Sequence, residues 1–174
     1  MPAMPATTLE GLETRRQDIA GAWWRRVFMT VLAVVIAAGL AGLLGVREAT
    51  AEASENGWSL RLQYAATARA GLDVPFIVTV RHAGGLGKQV SLALTGDHLD
   101  IYETQGFHPE PSDETRDGAT LYLTFDAPPD GDTLVVSYDA YIQPAAQRGR
   151  DATLGVMDAG RQVAVVDVRT RLLP

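Results

Sequence analysis

The segment 95–118 concentrates the side chains of this chain that are best suited to chemistry. It contains two of the three histidines, His98 and His108. The nearby carboxylates are Asp97, Asp100 and Glu103. Imidazole and carboxylate groups are ligands for Zn²⁺ and Cu²⁺, so a metal- or ligand-binding domain that uses this segment is one hypothesis. No pair has a diagnostic spacing and the chain has no Cys, so we expect solvated loop histidines and no bound metal or cofactor.

Aromatic side chains in the same segment indicate a different role. Tyr102 and Phe107 lie within it, and His108 follows Phe107 directly. Long loops of compact domains are often functional surfaces. We therefore expect Tyr102, Phe107 and His108 either to present an aromatic edge to a partner or to cover one end of the domain.

The common catalytic motifs are missing from the sequence. It has no Cys nucleophile and no G-x-S-x-G pattern, so neither a thiol enzyme nor a serine hydrolase is indicated. The run GGLGK at residues 84–88 has the glycines of a phosphate loop, but Gln89 replaces the Ser or Thr that this motif requires. We predict that this run is a turn between strands and that the protein is not an enzyme.

The charged residues divide the chain into two parts with opposite balance. Residues 1–26 carry four Arg and three acidic residues, whereas residues 47–174 carry eleven basic and eighteen acidic residues, a balance of −7. Nucleic acids and anionic lipid surfaces both attract basic patches. The acidic part is therefore not expected to bind nucleic acid or to dock onto anionic lipid.

Twenty uncharged residues, 27–46, separate these two parts. A helix of this length reaches about 30 Å, the thickness of the hydrocarbon core of a bilayer, so the sequence predicts the lipid bilayer as a partner. Directly before the run lie Trp23, Trp24, Arg25 and Arg26. Trp is common at the membrane interface and Arg on the cytoplasmic side. We expect a retained transmembrane helix with a cytoplasmic N-terminus and an exported C-terminal part.

A cleaved signal peptide is the alternative for this segment. The tripeptides at residues 49–51 (ATA) and 51–53 (AEA) both have the small residues of a cleavage site. The apolar run is longer than the roughly 7–15 residues usual in a signal peptide, so we favour the anchor. Fourteen Arg against one Lys are typical of a high-GC bacterium, which places the predicted anchor in a bacterial cytoplasmic membrane.

Small residues recur along one face of the predicted anchor. Ala38 and Gly42 lie four residues apart, a spacing that lets two membrane helices approach closely. We expect this face to contact another helix, either of a partner membrane protein or of a second copy.

The rest of the chain follows a strand pattern. We expect residues 1–26 to form a cytoplasmic tail with a short juxtamembrane helix, 47–56 a polar linker, and 57–174 the exported domain. In the last part apolar and polar residues alternate, the period of strands with one buried face. Seven such runs, separated by Gly, Pro and Asp turn signals, begin near residues 58, 76, 90, 121, 134, 152 and 162.

Seven short strands in about 115 residues resemble the immunoglobulin and fibronectin type III domains. The resemblance implies a mainly β fold, a seven-stranded antiparallel β-sandwich that follows one transmembrane helix. The paired Cys of antibody domains are missing, so packing alone would hold the core. We expect Trp58, Phe76, Phe125 and Tyr138 to be its large members.

The functional prediction follows from this organisation. We expect a non-enzymatic single-pass envelope protein whose exported sandwich is an accessory or interaction domain for a membrane protein partner. The alternatives are an exported ligand- or metal-binding sandwich that uses residues 95–118, and a domain secreted after signal cleavage.

Overall fold

A computed structural model describes residues 14–42, 45–103, 106–129 and 131–173, with side chains from residue 20 onward. The chain divides into two compact units, Met1–Leu44 and Gly45–Pro174. In the described part of the chain, the first unit contains one helix and the second contains the strands. We call the second the β unit.

The elements, in chain order, have the following bounds. They are α1 (Thr14–Leu40), β1 (Arg47–Glu55), β2 (Trp58–Arg69), β3 (Asp73–Val74), β4 (Phe76–His82), β5 (Gln89–Thr95), a 3₁₀ helix (His98–Ile101), β6 (Phe107–His108), β7 (Asp113–Asp117), β8 (Thr120–Asp126), β9 (Thr133–Tyr138), β10 (Ala140–Tyr141), β11 (Arg150–Asp158) and β12 (Arg161–Leu173).

Helix α1 joins much of the expected juxtamembrane helix to most of the expected membrane span. Its segment Ala20–Leu40 has a mean hydropathy of 1.5 and is long and apolar enough to cross a membrane, a property that signal sequences share. The helix ends at Leu40, and Gly42 follows with a φ of 70°. The Gly42 N–H donates to the Gly39 carbonyl oxygen at 3.0 Å. The helix therefore ends before residue 46, the predicted C-terminal bound of the span, because a left-handed Gly terminates it.

Each of the seven alternating runs forms a strand. These strands are β2, β4, β5, β8, β9, β11 and β12. Five further strands bring the described number to twelve, so the expected count of seven is too low. The period-2 pattern located the strands that bury one face, and the additional strands lack that pattern.

Ten strands form one curled sheet. Its order is β6-β9-β4-β2-β12-β11-β5-β8-β7, and β1 also pairs with β2. Neighbouring strands are antiparallel except β2 and β12, which are parallel where Arg171–Leu173 meets Thr67–Arg69. The two remaining strands, β3 and β10, pair with each other. The fold is therefore mainly β, and β2 joins the two halves of the sheet.

Strand β1 occupies residues 47–55, where we expected a polar linker. All nine of its residues have partners along β2, from Arg47 opposite Thr67 to Glu55 opposite Trp58. Ala51 and Ala53 pack against the core. The linker prediction is wrong because alternating alanines present enough apolar surface for an edge strand, although Ala contributes little to a hydrophobic pattern.

Residues 95–118 are more ordered in structure than the predicted long loop. They contain the 3₁₀ helix and the strands β6 and β7. Strand β6 pairs with β9, and β7 pairs with β8, so this segment supplies both ends of the sheet order.

One hydrophobic core holds the β unit together. The expected large members Trp58, Phe76, Phe125 and Tyr138 are all buried, which confirms that prediction. Phe76 and Phe125 are 2% and 0% exposed, so little of either ring remains in water. Burying a side chain of this kind contributes about 1.5–3 kcal/mol, so the β unit needs no disulfide to stabilise its core.

Candidate functional site

The two ends of the curled sheet approach each other at Phe107. Its ring, on edge strand β6, lies 6.3 Å from that of Phe125 on β8, one strand inside the opposite edge. A cleft of about 410 Å³ opens between the two edges, and we call it the edge cleft. Its apolar lining includes Leu99, Phe107, Leu121 and Tyr138. The charged lining residues are Asp100, Glu110, Glu114 and Arg116.

Two of these charged residues, Glu114 and Arg116, lie on strand β7, and the pleat of the strand determines which face they share. Glu114 pairs with Leu123 and Arg116 with Leu121, whose side chains are buried. Successive strand residues face opposite sides, so Glu114 and Arg116 share the face that meets the cleft. Every residue of β7 is exposed, and charged residues protect a free strand edge from unspecific pairing.

Aromatic contacts position the apolar side of the cleft. The ring of Phe107 lies 4.6 Å from that of Tyr138. The Tyr138 hydroxyl donates to the carbonyl oxygen of Glu103 at 3.3 Å. Because Tyr138 is buried and hydrogen-bonded, it is a fixed support on which the half-buried Phe107 rests.

The edge cleft is electronegative. Three carboxylates, of Asp100, Glu110 and Glu114, face a single guanidinium group, that of Arg116. In the described part of the chain, none of these four side chains forms an ion pair. The cleft can therefore accept a positively charged group together with an apolar one.

His98 lies behind the cleft, in the core. It is 0% exposed, so the expectation of a solvated loop histidine is wrong for this residue. Its Nε2 lies 3.1 Å from the Tyr102 hydroxyl oxygen, and its ring lies 5.7 Å from that of Phe76. Its Nδ1 is buried without a hydrogen-bond partner in the described chain. The 3₁₀ helix turns the imidazole inward, a feature that the sequence pattern does not show.

Burial shifts the pKa values of this His–Tyr pair in opposite directions. Loss of solvation lowers the pKa of His98 to about 4, and the nearby Arg150 backbone and Asp151 charge only partly offset it. Loss of solvation raises the pKa of Tyr102 to about 12. Both side chains are uncharged near neutral pH, as their apolar surroundings require.

The predicted partner-binding aromatic residues have different positions. Tyr102 is 2% exposed and belongs to the core at this end of the unit, although it also lines the edge cleft. Phe107 is half-buried in the cleft lining. His108 is exposed, with Nε2 3.2 Å from Oδ2 of Asp139. No group of three His, Cys, Asp or Glu in the described ranges could hold a metal ion.

The helical site residues lie in or just beyond α1. The four predicted interface residues, Trp23, Trp24, Arg25 and Arg26, are all helical. The two indole rings meet edge to face, with centroids 5.1 Å apart. Ala38 is in the last turn, but Gly42 lies beyond the end of the helix. The two therefore do not share a helix face as predicted.

Sequence reasoning missed the charged lining of the cleft. Glu114 and Arg116 lie on β7, and a strand of only polar residues has no hydrophobic period. The alternation of Glu114 and Arg116 was the available signal. This alternation indicates a shared strand face only when the pairing of β7 with its neighbour β8 is known.

Comparison with known proteins identifies no family for this chain. No family model matches it, and no curated protein matches it. Among solved structures, it is similar to the crystal structure of a DUF4466 family protein from Parabacteroides merdae, with a TM-score of 0.39 and 17% sequence identity. The match covers 72% of this chain and 42% of that chain, so this chain spans less than half of that protein's length.

Proposed function

We propose that the chain is a non-enzymatic, single-pass envelope protein whose β unit is an interaction domain for a protein partner in the same membrane. The observation that carries this proposal is the edge cleft. It combines apolar side chains with three carboxylates and one Arg. A partner segment that carries both apolar and positively charged side chains complements this lining.

The strand edge beside the cleft suits an extended partner segment. Strand β7 ends the sheet order, and its five residues are exposed. A partner strand would add to this edge through backbone hydrogen bonds and insert a side chain into the cleft. Backbone pairing supplies affinity in this mode, and the acidic lining supplies the preference for a basic side chain.

The strand order fits an immunoglobulin-like sandwich of the constant type. In that layout, strands A, B, E and D form one layer and C, F and G the other. The corresponding orders here are β2-β4-β9-β6 and β5-β11-β12. The β7–β8 hairpin would extend the second layer beyond β5. An experimental structure with two layers about 10 Å apart would agree with this assignment, and a single open sheet would contradict it.

Strand β1 favours a retained anchor over a cleaved signal peptide. Both candidate cleavage sites, 49–51 and 51–53, lie inside β1, and cleavage there would remove much of a strand that pairs along β2. Because the Arg excess precedes the apolar run 27–46, we propose that the N-terminus is cytoplasmic and the β unit is outside. The intact mass of the membrane-extracted chain should include residues 1–50, and a chain that begins near residue 52 would contradict the anchor.

Site-specific photo-crosslinking tests the interaction role of the cleft. A photoreactive benzoylphenylalanine replaces Glu110 at the cleft in full-length protein expressed in its native host. The matched control places it at Asp158, an exposed residue at the end of β11. We expect one discrete crosslinked membrane protein from position 110 and none from position 158. No product at position 110, or the same product at both positions, would contradict the proposal.

A further inference from the structure

Arginines gather at the end of the β unit where β1 begins. Register places them there: Arg47 and Arg171 both pair with Thr67, Leu173 pairs with Arg69, and Arg150 pairs with Thr170. We call this group the arginine end, and its members are Arg47, Arg69, Arg148, Arg150, Arg169 and Arg171. It holds six of the ten arginines in residues 47–174.

Most of these arginines have no ion pair in the described part of the chain. In the described ranges, Arg169 alone among the six forms an ion pair, at 3.3 Å from Oδ1 of Asp151. Asp100 shares a groove with Arg148 and Arg150 without pairing to either. The net charge of −7 for residues 47–174 is thus unevenly distributed over the surface, and it does not describe the arginine end.

Arg69 lies in a partly enclosed groove at the arginine end. Its Nε is buried and has no hydrogen-bond partner in the described chain. The groove around it has a volume of about 510 Å³ and is walled mainly by Ala70, Pro144, Ala146, Leu172 and Leu173. A buried N–H donor normally has an acceptor, and a phosphate oxygen in this groove would supply one to the charged guanidinium group.

A second groove continues the first and carries the exposed arginines. It measures about 530 Å³ and shares Gln147, Leu172 and Leu173 with the Arg69 groove. Arg148, Arg169 and Arg171 line it. Gly149 allows the chain before β11 to approach β12 closely, because a Cβ at this position would overlap the Thr170 carbonyl oxygen. The two grooves form a continuous surface of guanidinium groups and leucine side chains.

We propose that the arginine end binds anionic phospholipid headgroups of the membrane that holds α1. This inference rests on the proposed membrane anchor. Six residues, 41–46, connect the helix to Arg47, and six residues span at most about 21 Å. Guanidinium groups bind phosphate through paired hydrogen bonds, and the leucines suit the apolar part of the lipid. The net charge of −7 argued against lipid docking of the acidic part as a whole, whereas this proposal concerns only the arginine end.

Fluorescence of the full chain in nanodiscs tests this assignment. The chain has no Cys, so Leu172→Cys provides a single position for an environment-sensitive label. The matched label is Ala83→Cys, in the exposed loop next to His82, which pairs with the other end of β2. The discs contain phosphatidylcholine alone or mixed with phosphatidylglycerol. We expect a blue shift at position 172 only in the mixed discs, reversed by high salt, and no change at position 83.

Charge variants identify the groups responsible. The double variant Arg148→Gln/Arg171→Gln should lose the blue shift, and Arg61→Gln/Arg81→Gln, which removes two exposed arginines outside the arginine end, should retain it. Equal spectra in both kinds of disc, or equal loss in both double variants, would overturn the inference. So would a blue shift produced by inorganic phosphate in phosphatidylcholine discs, which would assign the site to free anions. A chain that does not enter the discs would contradict the anchor itself.

Discussion

The imidazole of His98 makes the stability of the β unit depend on pH. Its pKa is about 4 in the folded chain, below the ordinary value of 6.5 that applies when it is unfolded. The unfolded state therefore binds the proton more tightly. The contribution of the neutral His98 side chain to the free energy of unfolding is complete above about pH 6.5 and declines as the pH falls towards 4.

We expect this decline to reach at most about 3.5 kcal/mol, since the pKa falls from 6.5 to about 4 and one pKa unit corresponds to about 1.4 kcal/mol. Urea denaturation of the chain at pH 7.5 and at pH 4.5 measures it. The variant His98→Gln, which does not titrate, should lose most of the pH dependence. His108→Gln is the control, because His108 is exposed, and it should behave as the parent chain does. A His98→Gln variant with the parent pH dependence would contradict the prediction.

At the scale of elements, β1 is bound to the unit by its backbone and by alanine methyl groups. Ala51 packs against the core, whereas its neighbour Thr50 is exposed. We expect Ala51→Asp to lower the free energy of unfolding by about 1–3 kcal/mol, because it places a charge against apolar side chains. Thr50→Asp should change it by no more than about 0.5 kcal/mol.

Chemical denaturation monitored by Trp fluorescence compares the two variants, since Trp58 lies in the core beside β1. Equal destabilisation by Ala51→Asp and Thr50→Asp would show that β1 does not pack as described. The ion pair between Arg61 and Glu52, 2.9 Å long, is exposed on both sides and contributes little to holding β1.

Elements with a hydrophobic period were predictable, and elements without one were not. Strands β2, β4, β5, β8, β9, β11 and β12 alternate apolar and polar residues, so sequence located all seven. Strand β7, with the sequence DETRD, has no apolar residue, and only its pairing with β8 makes it a strand. The end of α1 depends on the backbone conformation of Gly42, which hydropathy does not report.

At the scale of the whole molecule, Phe107 links the two ends of the curled sheet. Its ring contacts Tyr138 on the neighbouring strand β9 and Phe125 on β8, near the other end of the sheet order. We expect Phe107→Ala to lower the free energy of unfolding by about 1–3 kcal/mol, less than for a fully buried Phe. It should also speed hydrogen exchange of the β6 and β9 amides.

Val135→Ala is the matched control, because Val135 lies on β9 and is 51% exposed. It should leave both the stability and the exchange of β6 nearly unchanged. Urea titration and hydrogen-exchange mass spectrometry supply the two measurements. Unchanged exchange at β6 in Phe107→Ala would show that this ring does not hold the two ends of the sheet together.

The edge cleft and the arginine end could not be predicted because each depends on long-range pairing. The cleft brings Leu99 near Tyr138, and the arginine end brings Arg47 near Arg171. Sequence composition gives only the total charge, and it hides a surface on which opposite charges are separated. The length and irregularity of the segment 95–118 already marked it as a candidate functional surface, and that role stays a prediction.

Strand β1 also determines how the β unit responds to mechanical force. Tension that reaches the unit along the chain from α1 enters at Arg47, so the β1–β2 hydrogen bonds carry the load first. Few large side chains resist their separation, because β1 contributes mainly alanine methyl groups to the core. A pull strong enough to detach β1 leaves the large core residues on the other strands packed together. The β unit can therefore lengthen its tether by a whole strand before it unfolds.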